Sequence, residues 1–190
     1  SARWVGLISV ADVNVAAAAV TAAGGKVVYA PVMLGERGET AVFKDPEGVL
    51  FGVVHSKSGD PLDYAGELNE WYWVDLWTAD VEKAAAFYRS VIGFEALPIA
   101  DDGPRSGLRL LSGGFARAGI MQKTSEKSSA TWLPYIRVAD AEAAVAAARA
   151  AGGKVLLDPV AMNVATVAII ADPTGAPVGI VQLPAPEAQP

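Results

Sequence analysis

The chain contains an internal repeat, and this feature limits the folds open to it more than any other. Three pairs of matching runs make up the repeat: 10–12 with 138–140, 23–27 with 151–155, and 45–48 with 172–175. The first two pairs are offset by 128 positions and the third by 127, so the copies extend over about 4–54 and 132–181. Self-similarity at a fixed offset indicates a repeated structural unit, and we expect both copies to share one fold.

Each copy predicts the order strand, helix, strand, strand, strand. In the first copy, the carboxylate of Asp12 can cap a helix, and the alanine-rich run after it has apolar residues at helical spacing. Gly24 is typical of the residue that follows a helix. The run Asp45-Pro46-Glu47-Gly48 favours a type I turn between the last two strands. The second copy repeats these signals in the same order.

A different segment lies between the copies. Alternating residues predict a strand over Trp71–Thr78, and a helix is predicted over Val81–Ile92, capped by Asp80 and ended by Gly93. Further short strands are expected near 109–111 and 116–122. This segment and the second copy together form one complete module.

The repeat also predicts the domain organisation. The expected parts are the second half of a first module over 1–55, a linker over 56–69, a complete module over 70–184, and a tail over 185–190. The first half of the first module is missing from the sequence, so either the natural protein is longer or a second chain supplies that half. A homodimer is also expected.

Composition excludes several kinds of chemistry. The chain has no cysteine, which removes disulfides, thiolate zinc sites and thiol catalysis, and its single histidine excludes a multi-histidine metal site within one chain. The net charge of −6 argues against nucleic-acid or anionic-membrane partners. No apolar run approaches the roughly 20 residues of a membrane helix. We expect a soluble, cytoplasmic protein, although the sequence before Ser1 leaves export open.

The middle segment carries a family resemblance. The runs Leu76-Trp77-Thr78-Ala79-Asp80, Ala86-Phe87-Tyr88 and Ile92-Gly93-Phe94 resemble the opening of a module of the vicinal oxygen chelate superfamily, which includes glyoxalases, bleomycin-resistance proteins and extradiol dioxygenases. The resemblance implies an α+β fold of paired βαβββ modules, with curved, mainly antiparallel sheets and helices on the outer face. It also implies that two βαβββ units pair to form a concave surface, called the cup below.

Metal-dependent members of that superfamily place His or Glu at a few positions facing the cup. By resemblance, the corresponding positions here are Trp73, Met121 or Gln122, Leu133, Gly179, Val5 and Gly52. None of these residues is a ligand that divalent metals prefer. We therefore expect no metal and no other cofactor.

Strand alternation identifies the residues expected to line the cup instead. Alternate residues share a face, so Trp73, Asp75 and Trp77 lie on one side of their strand. The same reasoning turns Leu133, Tyr135 and Arg137 inward, and Met121 joins them. Tryptophan faces bind planar or cationic groups, each contributing about 0.5–2 kcal/mol. The alternative is that these tryptophans fill a core, with Asp75 and Arg137 as a structural ion pair.

The resulting hypothesis is a metal-free protein that binds an apolar, aromatic or cationic small molecule. One alternative is a metal-dependent lyase, isomerase or dioxygenase whose ligands come from the missing half or a partner chain. Another is a fold that serves assembly only and binds no ligand. The lone histidine, His55, is predicted to lie in an exposed loop, and no residue is assigned a catalytic role.

Overall fold

The structure is a computed structural model that describes residues 2–63, 66–99, 107–126, 128–162 and 165–184. Three successive segments have the order strand, helix, strand, strand, strand. The first comprises β1 (Leu7–Ser9), α1 (Val13–Ala22), β2 (Lys26–Met33), β3 (Glu39–Lys44) and β4 (Leu50–His55). The second comprises β5 (Trp71–Thr78), α2 (Val81–Ile92), β6 (Glu95–Pro98), β7 (Gly107–Ser112) and β8 (Phe115–Gln122). The third comprises β9 (Thr131–Arg137), α3 (Ala141–Ala150), β10 (Lys154–Met162), β11 (Ala165–Ala171) and β12 (Pro177–Gln182).

An aspartate begins each of the three helices. The carboxylate of Asp12 accepts hydrogen bonds from the backbone N–H groups of Asn14 and Val15 at 2.8 and 3.0 Å. Asp80 accepts from Lys83 N at 3.0 Å, and Asp140 accepts from Ala143 N at 2.9 Å. These bonds satisfy amides that have no partner inside the helix, which explains why each helix begins where it does.

The three segments also share one strand topology. Within each segment the first and last strands are parallel neighbours, and the remaining pairs are antiparallel. The resulting strand orders are β1-β4-β3-β2, β5-β8-β7-β6 and β9-β12-β11-β10. Such a parallel pair needs a helical crossover, which α1, α2 and α3 provide. The expected fold class of βαβββ units with mainly antiparallel pairing is confirmed.

The chain divides into two compact units. The larger unit consists of Val5–Asp63 and Val74–Trp132, and the smaller unit contains the rest of the described chain, chiefly 66–73 and 133–184. The division runs through β5 after Trp73 and through β9 after Trp132. The predicted boundaries at 55, 69 and 184 stay a prediction.

The larger unit has an aromatic core. The rings of Phe51, Phe87 and Tyr88 lie edge to face with centroids 5.1 to 5.9 Å apart, an arrangement that adds to their burial energy. Aliphatic side chains from β5, β7 and β8 complete this core beneath α2: Leu76, Leu110 and Ile120, all fully buried. The core of the smaller unit is more modest and consists of Ala141, Val145, Ala168 and Ile180 with a few partly buried neighbours.

A buried chain of hydrogen bonds crosses the larger unit. The indole Nε1 of Trp132 donates to the hydroxyl of Tyr88 at 3.0 Å, and that hydroxyl donates to Asp45 Oδ2 at 3.2 Å. The other oxygen of Asp45 accepts from the backbone N–H groups of Glu47 and Val49, which closes the predicted Asp-Pro-Glu-Gly turn. Burial raises the pKa of Asp45, and burial together with the Asp45 charge raises the pKa of Tyr88.

The bounds of strand β5 and helix α2 agree with those predicted from the sequence, and the bounds of the other predicted strands differ. Strand β1 is only three residues long, β2 is eight residues long and continues past Pro31, and β6 has no counterpart among the strands predicted for the middle segment. Strand β2 can accommodate Pro31 because it is the last strand of its sheet and its register shifts between Tyr29 and Val32. Among the described residues, no helix is both long enough and apolar enough to span a lipid bilayer.

Candidate functional site

Strand β5 separates the core of the larger unit from a second face of the same sheet. Leu76 and Thr78 are buried on the side that carries α2. Asp75 and Trp77 alternate with them and lie on the opposite side, where both are only partly buried. This is the division that strand alternation predicts, and Trp77 does not lie beneath the helix.

Two rows of residues cross this second face. In one row Trp77 is paired with Met121 on β8, which is paired with Gly107 on β7. A Cβ on Gly107 would approach the sulfur of Met121 to 2.7 Å and Ile99 Cδ1 to 3.2 Å, so the glycine is closely covered by apolar side chains. Met121 and Ile99 therefore form an apolar patch, and Trp77 lies next to Met121 on the neighbouring strand.

The neighbouring row is polar at both ends. Asp75 is paired with Gly119 on β8, and Gly119 is paired with Arg109 on β7. Two strand spacings separate the ends, so the Cα atoms of Asp75 and Arg109 are roughly 10 Å apart. Gly119 itself is buried, whereas Arg109 is exposed. The row places a carboxylate and a guanidinium on either side of a position without a side chain.

Trp77 carries an unusual polar group. Its indole Nε1 is buried and has no hydrogen-bond partner among the residues that the structure describes. A buried donor without an acceptor costs about 1–3 kcal/mol. An acceptor brought by a ligand would remove that cost.

The remaining predicted site residues belong to the smaller unit. Leu133 and Tyr135 are buried there, and Trp73 and Arg137 are partly buried. Arg137 donates from Nη1 to the carbonyl oxygen of Gly66 at 3.0 Å. The structure thus brings Asp75, Trp77 and Met121 onto one face of the larger unit. The other four residues, Trp73, Leu133, Tyr135 and Arg137, fall in the smaller unit, and their predicted binding role stays a prediction.

A glycine faces the first strand at the same place in all three segments. The pairs are Leu7 with Gly52, Asp75 with Gly119, and Tyr135 with Gly179. The strand register therefore equates Gly119, rather than Met121, with Gly179. The signal for this in the sequence is the match of Gly119-Ile120-Met121-Gln122 with Gly179-Ile180-Val181-Gln182. Sequence reasoning missed both Gly119 and Arg109.

The residues at these positions do not fit a divalent metal. A Cβ on Gly179 would lie 2.1 Å from Cδ1 of Tyr135, and one on Gly52 would lie 2.5 Å from Cδ2 of Leu7. The space for a ligating side chain at Gly179 is thus already filled by the ring of Tyr135, and the space at Gly52 by the aliphatic side chain of Leu7. Within the described ranges, no group of three or more His, Cys, Asp or Glu residues is arranged to hold a metal ion.

The lone histidine has a local structural contact. His55 is exposed at the end of β4, and its Nδ1 lies 3.1 Å from the carbonyl oxygen of Val10. The residues at the equivalent positions make comparable contacts: Gln122 donates to the carbonyl oxygen of Ala79, and Gln182 accepts from Ala141 N. All three side chains connect the last strand to the start of the helix in their own segment, which accounts for His55 without a metal.

Comparison with known proteins identifies the family. The family model of the glyoxalase, bleomycin resistance protein and dioxygenase superfamily matches residues 72–180. The chain belongs to this superfamily. It is 30% identical over 188 residues to the putative glyoxylase CFP32 of Mycobacterium bovis, covering 97% of this chain and 70% of that protein. It is 28% identical over 182 residues to the anthracycline biosynthesis protein DauV of a Streptomyces strain, covering 96% of this chain and 66% of that protein.

Solved structures show the same superfamily fold. A 2,2',3-trihydroxybiphenyl 1,2-dioxygenase from Sphingomonas wittichii aligns with a TM-score of 0.60 at 16% identity, covering 95% of this chain and 70% of that chain. A Mn(II)-bound glyoxalase from Novosphingobium aromaticivorans aligns with a TM-score of 0.58 at 20% identity, covering 93% and 62%. Identity at this level establishes the shared fold, and function must be argued from the site.

Proposed function

We propose that this chain binds a planar aromatic small molecule without a resident metal, on the face of the larger unit that carries Asp75, Trp77 and Met121. The observation that carries the proposal is the buried N–H of Trp77, which has no partner within the described ranges and lies beside the apolar patch. It supports a ligand that has both a ring to stack and an oxygen or nitrogen acceptor. Such a mixture of apolar surface and a few polar groups is characteristic of small-molecule sites.

Each of the three residues has a role in this proposal. The face of Trp77 stacks on the ligand ring, which contributes about 0.5–1.5 kcal/mol beyond area burial. The thioether of Met121 adapts to the outline of the ring and makes sulfur–aromatic contacts. The carboxylate of Asp75 attracts a cationic or hydrogen-bond-donating substituent.

The names of two relatives suggest a probe. Two Streptomyces proteins that are 28% identical to this chain are named anthracycline biosynthesis proteins. An anthracycline has fused planar rings, acceptor oxygens and an amino sugar, so it offers every group that the proposed site would contact. We propose polycyclic aromatic compounds of this kind as the ligand class.

Anthracycline fluorescence anisotropy tests the proposal directly, because these rings fluoresce and their rotation slows when they bind. We expect saturable binding to the wild-type chain and about tenfold weaker binding to Trp77→Leu, which corresponds to about 1.4 kcal/mol. Trp4→Leu is the matched control, since Trp4 is an exposed tryptophan of the smaller unit. No saturable binding, or equal weakening by both variants, would refute the proposal.

The metal-dependent alternative is favoured by the name of the 30% identical relative, a putative glyoxylase. Its ligands would have to come from outside the positions described above. Elemental analysis of protein purified without chelators distinguishes the two. Stoichiometric manganese, iron, nickel or zinc would replace the binding proposal by an enzyme of the lyase, isomerase or dioxygenase type. Homodimerisation and a cytoplasmic location also remain proposals.

A further inference from the structure

Met121 lies between Trp77 and Gly107 in one row of the second face of the larger unit. Trp77 on β5 is paired with Met121 on β8, and Met121 is paired with Gly107 on β7. A flexible side chain at the middle position can extend towards either neighbour. Its direction decides how much of the indole of Trp77 a ligand can reach.

The side chain of Met121 extends towards β7. Its sulfur lies 2.7 Å from the position that a Cβ on Gly107 would occupy, whereas the Cβ positions of directly opposed residues are about 5 Å apart. The thioether therefore lies over the backbone of Gly107, on the side away from Trp77. Trp77 and Met121 are both only partly buried, so solvent reaches part of each side chain.

The absence of a side chain at Gly107 permits this direction. Gly107 does not have the positive φ that favours glycine, in contrast to Gly113 and Gly114 in the turn after β7. A Cβ at position 107 would lie 2.7 Å from the sulfur of Met121, 3.0 Å from the carbonyl oxygen of Ile120 and 3.2 Å from Ile99 Cδ1. The sulfur is the closest of these atoms and belongs to a flexible side chain, so it would be displaced first.

We propose that Gly107 determines the size of the ligand ring: it lets the side chain of Met121 lie over β7, which leaves the surface beside Trp77 to a broad fused aromatic ring. This inference rests on the proposed function and adds a specificity-determining residue to the same site. A side chain at position 107 would turn Met121 towards Trp77 and narrow the surface on which the ring stacks. Gly107 acts on the ligand through Met121 and is therefore a positioning residue.

Two probes of different ring size test the inference. An anthracycline carries four fused rings and 2-naphthol carries two, and both offer an oxygen acceptor to the indole of Trp77. Isothermal titration calorimetry measures each Kd with the wild-type chain, Gly107→Ala, Met121→Ala and the double variant. Gly6→Ala is the matched control, because it adds the same methyl group where no heavy atom lies within 4 Å of the new Cβ.

Gly107→Ala should discriminate between the two probes. We expect it to weaken anthracycline binding about tenfold, as the insertion of one methyl group into a packed site can do, and to leave 2-naphthol within about twofold. In the Met121→Ala background the same change should alter neither Kd by more than about twofold, since the displaced side chain is absent. Gly6→Ala should leave both Kd values unchanged.

A measurement without ligand follows the side chain itself. The chain has three methionines, Met33, Met121 and Met162, so methyl-13C methionine gives three NMR signals, and Met121→Ala assigns one of them. In Gly107→Ala the signal of Met121 should shift, because its methyl group moves into the ring current of Trp77, while the other two signals stay in place. An unchanged Met121 signal would refute the positioning role.

A second variant covers the case in which Gly107→Ala does not fold. Met121→Ile keeps an apolar side chain, but its β-branched atoms stay close to β8 and cannot extend over Gly107. It should therefore bind the anthracycline more weakly than Met121→Ala does. Equal or tighter binding by Met121→Ile would contradict the inference.

The outcomes separate this inference from the proposed function. If the anthracycline binds the wild-type chain but Gly107→Ala weakens both probes equally, or neither, Gly107 does not select ring size and aromatic binding stands. The same conclusion follows if Gly107→Ala has its full effect in the Met121→Ala background, since the effect then bypasses Met121. If neither probe binds the wild-type chain, the proposed function fails and this inference fails with it.

Discussion

The contact between Tyr135 and Gly179 in the smaller unit can be tested by mutation. Gly179 corresponds to a ligand position in the metal-dependent members of the superfamily, and the test shows whether the ring of Tyr135 fills the space there. A Cβ added to Gly179 would lie 2.1, 2.4 and 2.7 Å from Cδ1, Cε1 and Cγ of the Tyr135 ring. Real contacts to a Cβ are longer than 3.0 Å, so Gly179→Ala forces the ring to move. Tyr135 is only 6% exposed, and the ring has little room to do so.

The magnitudes follow from burial and overpacking. Forcing one methyl group into a packed site costs about 1–3 kcal/mol, so Gly179→Ala should lower the free energy of unfolding by that amount. Tyr135→Ala removes a buried ring and should cost about 3–5 kcal/mol, as for other large-to-small aromatic changes. With the ring removed, the added methyl group occupies vacated space, and the lost flexibility of glycine in the unfolded chain contributes about 0.4–1 kcal/mol of stability.

A double-mutant cycle measured by urea unfolding, followed by far-UV circular dichroism, gives the coupling free energy. We expect it to be about 1.5–4 kcal/mol, since the two changes relieve each other. Gly6→Ala is the matched control, because no heavy atom lies within 4 Å of its added Cβ, and it should leave stability nearly unchanged. A coupling near zero, with Gly179→Ala as stable as wild type, would show that open space remains at this position.

Three further predictions concern the larger unit. Burial raises the pKa of Asp45 above 3.8, so the folded protein retains a proton that the unfolded chain releases. The free energy of unfolding of the wild-type chain should therefore fall, relative to that of Asp45→Asn, as the pH rises from about 4 through the folded pKa. Urea titrations across a pH series measure the difference in stability between the two proteins. A difference that does not change with pH would contradict this prediction. Trp132→Phe removes the donor to Tyr88 and should cost about 1–3 kcal/mol, in contrast to the exposed substitution Trp4→Phe, as measured by urea unfolding. Leu76→Ala opens a cavity beneath α2 and should cost about 2–5 kcal/mol by the same measurement; a cost below 1 kcal/mol would mean that the site collapses fully.

Local signals explain why parts of the fold could be predicted residue by residue. Strand β5 and helix α2 agree with their predicted bounds because Asp80 supplies a cap and Gly93 adopts a left-handed conformation with φ of 83°. Strand β6 lacks such signals, since it is only four residues long and is defined by its pairing with β7. The continuation of β2 past Pro31 likewise depends on its position at the end of a sheet, which no local pattern reveals.

The candidate site was predictable only where it depends on one strand. Alternation along β5 places Asp75 and Trp77 on the side opposite the core, and the structure agrees. Gly119 and Arg109 join them through the register of β5 with β8 and of β8 with β7, which are pairings between distant parts of the chain. The partner of a strand is a tertiary property, so single-strand periodicity could not identify the residues that complete the row.

Aliphatic, acidic and aromatic residues occupy one equivalent position in this protein, each paired with a glycine on the neighbouring parallel strand: Leu7, Asp75 and Tyr135. The parallel pairing of the first and last strands is the same in each case, so the strand arrangement does not dictate which side chain stands at this position. A single substitution on a first strand can therefore change the chemistry presented at that position while the rest of the module stays the same. Superfamilies built on such modules can diversify their ligands without rebuilding their folds.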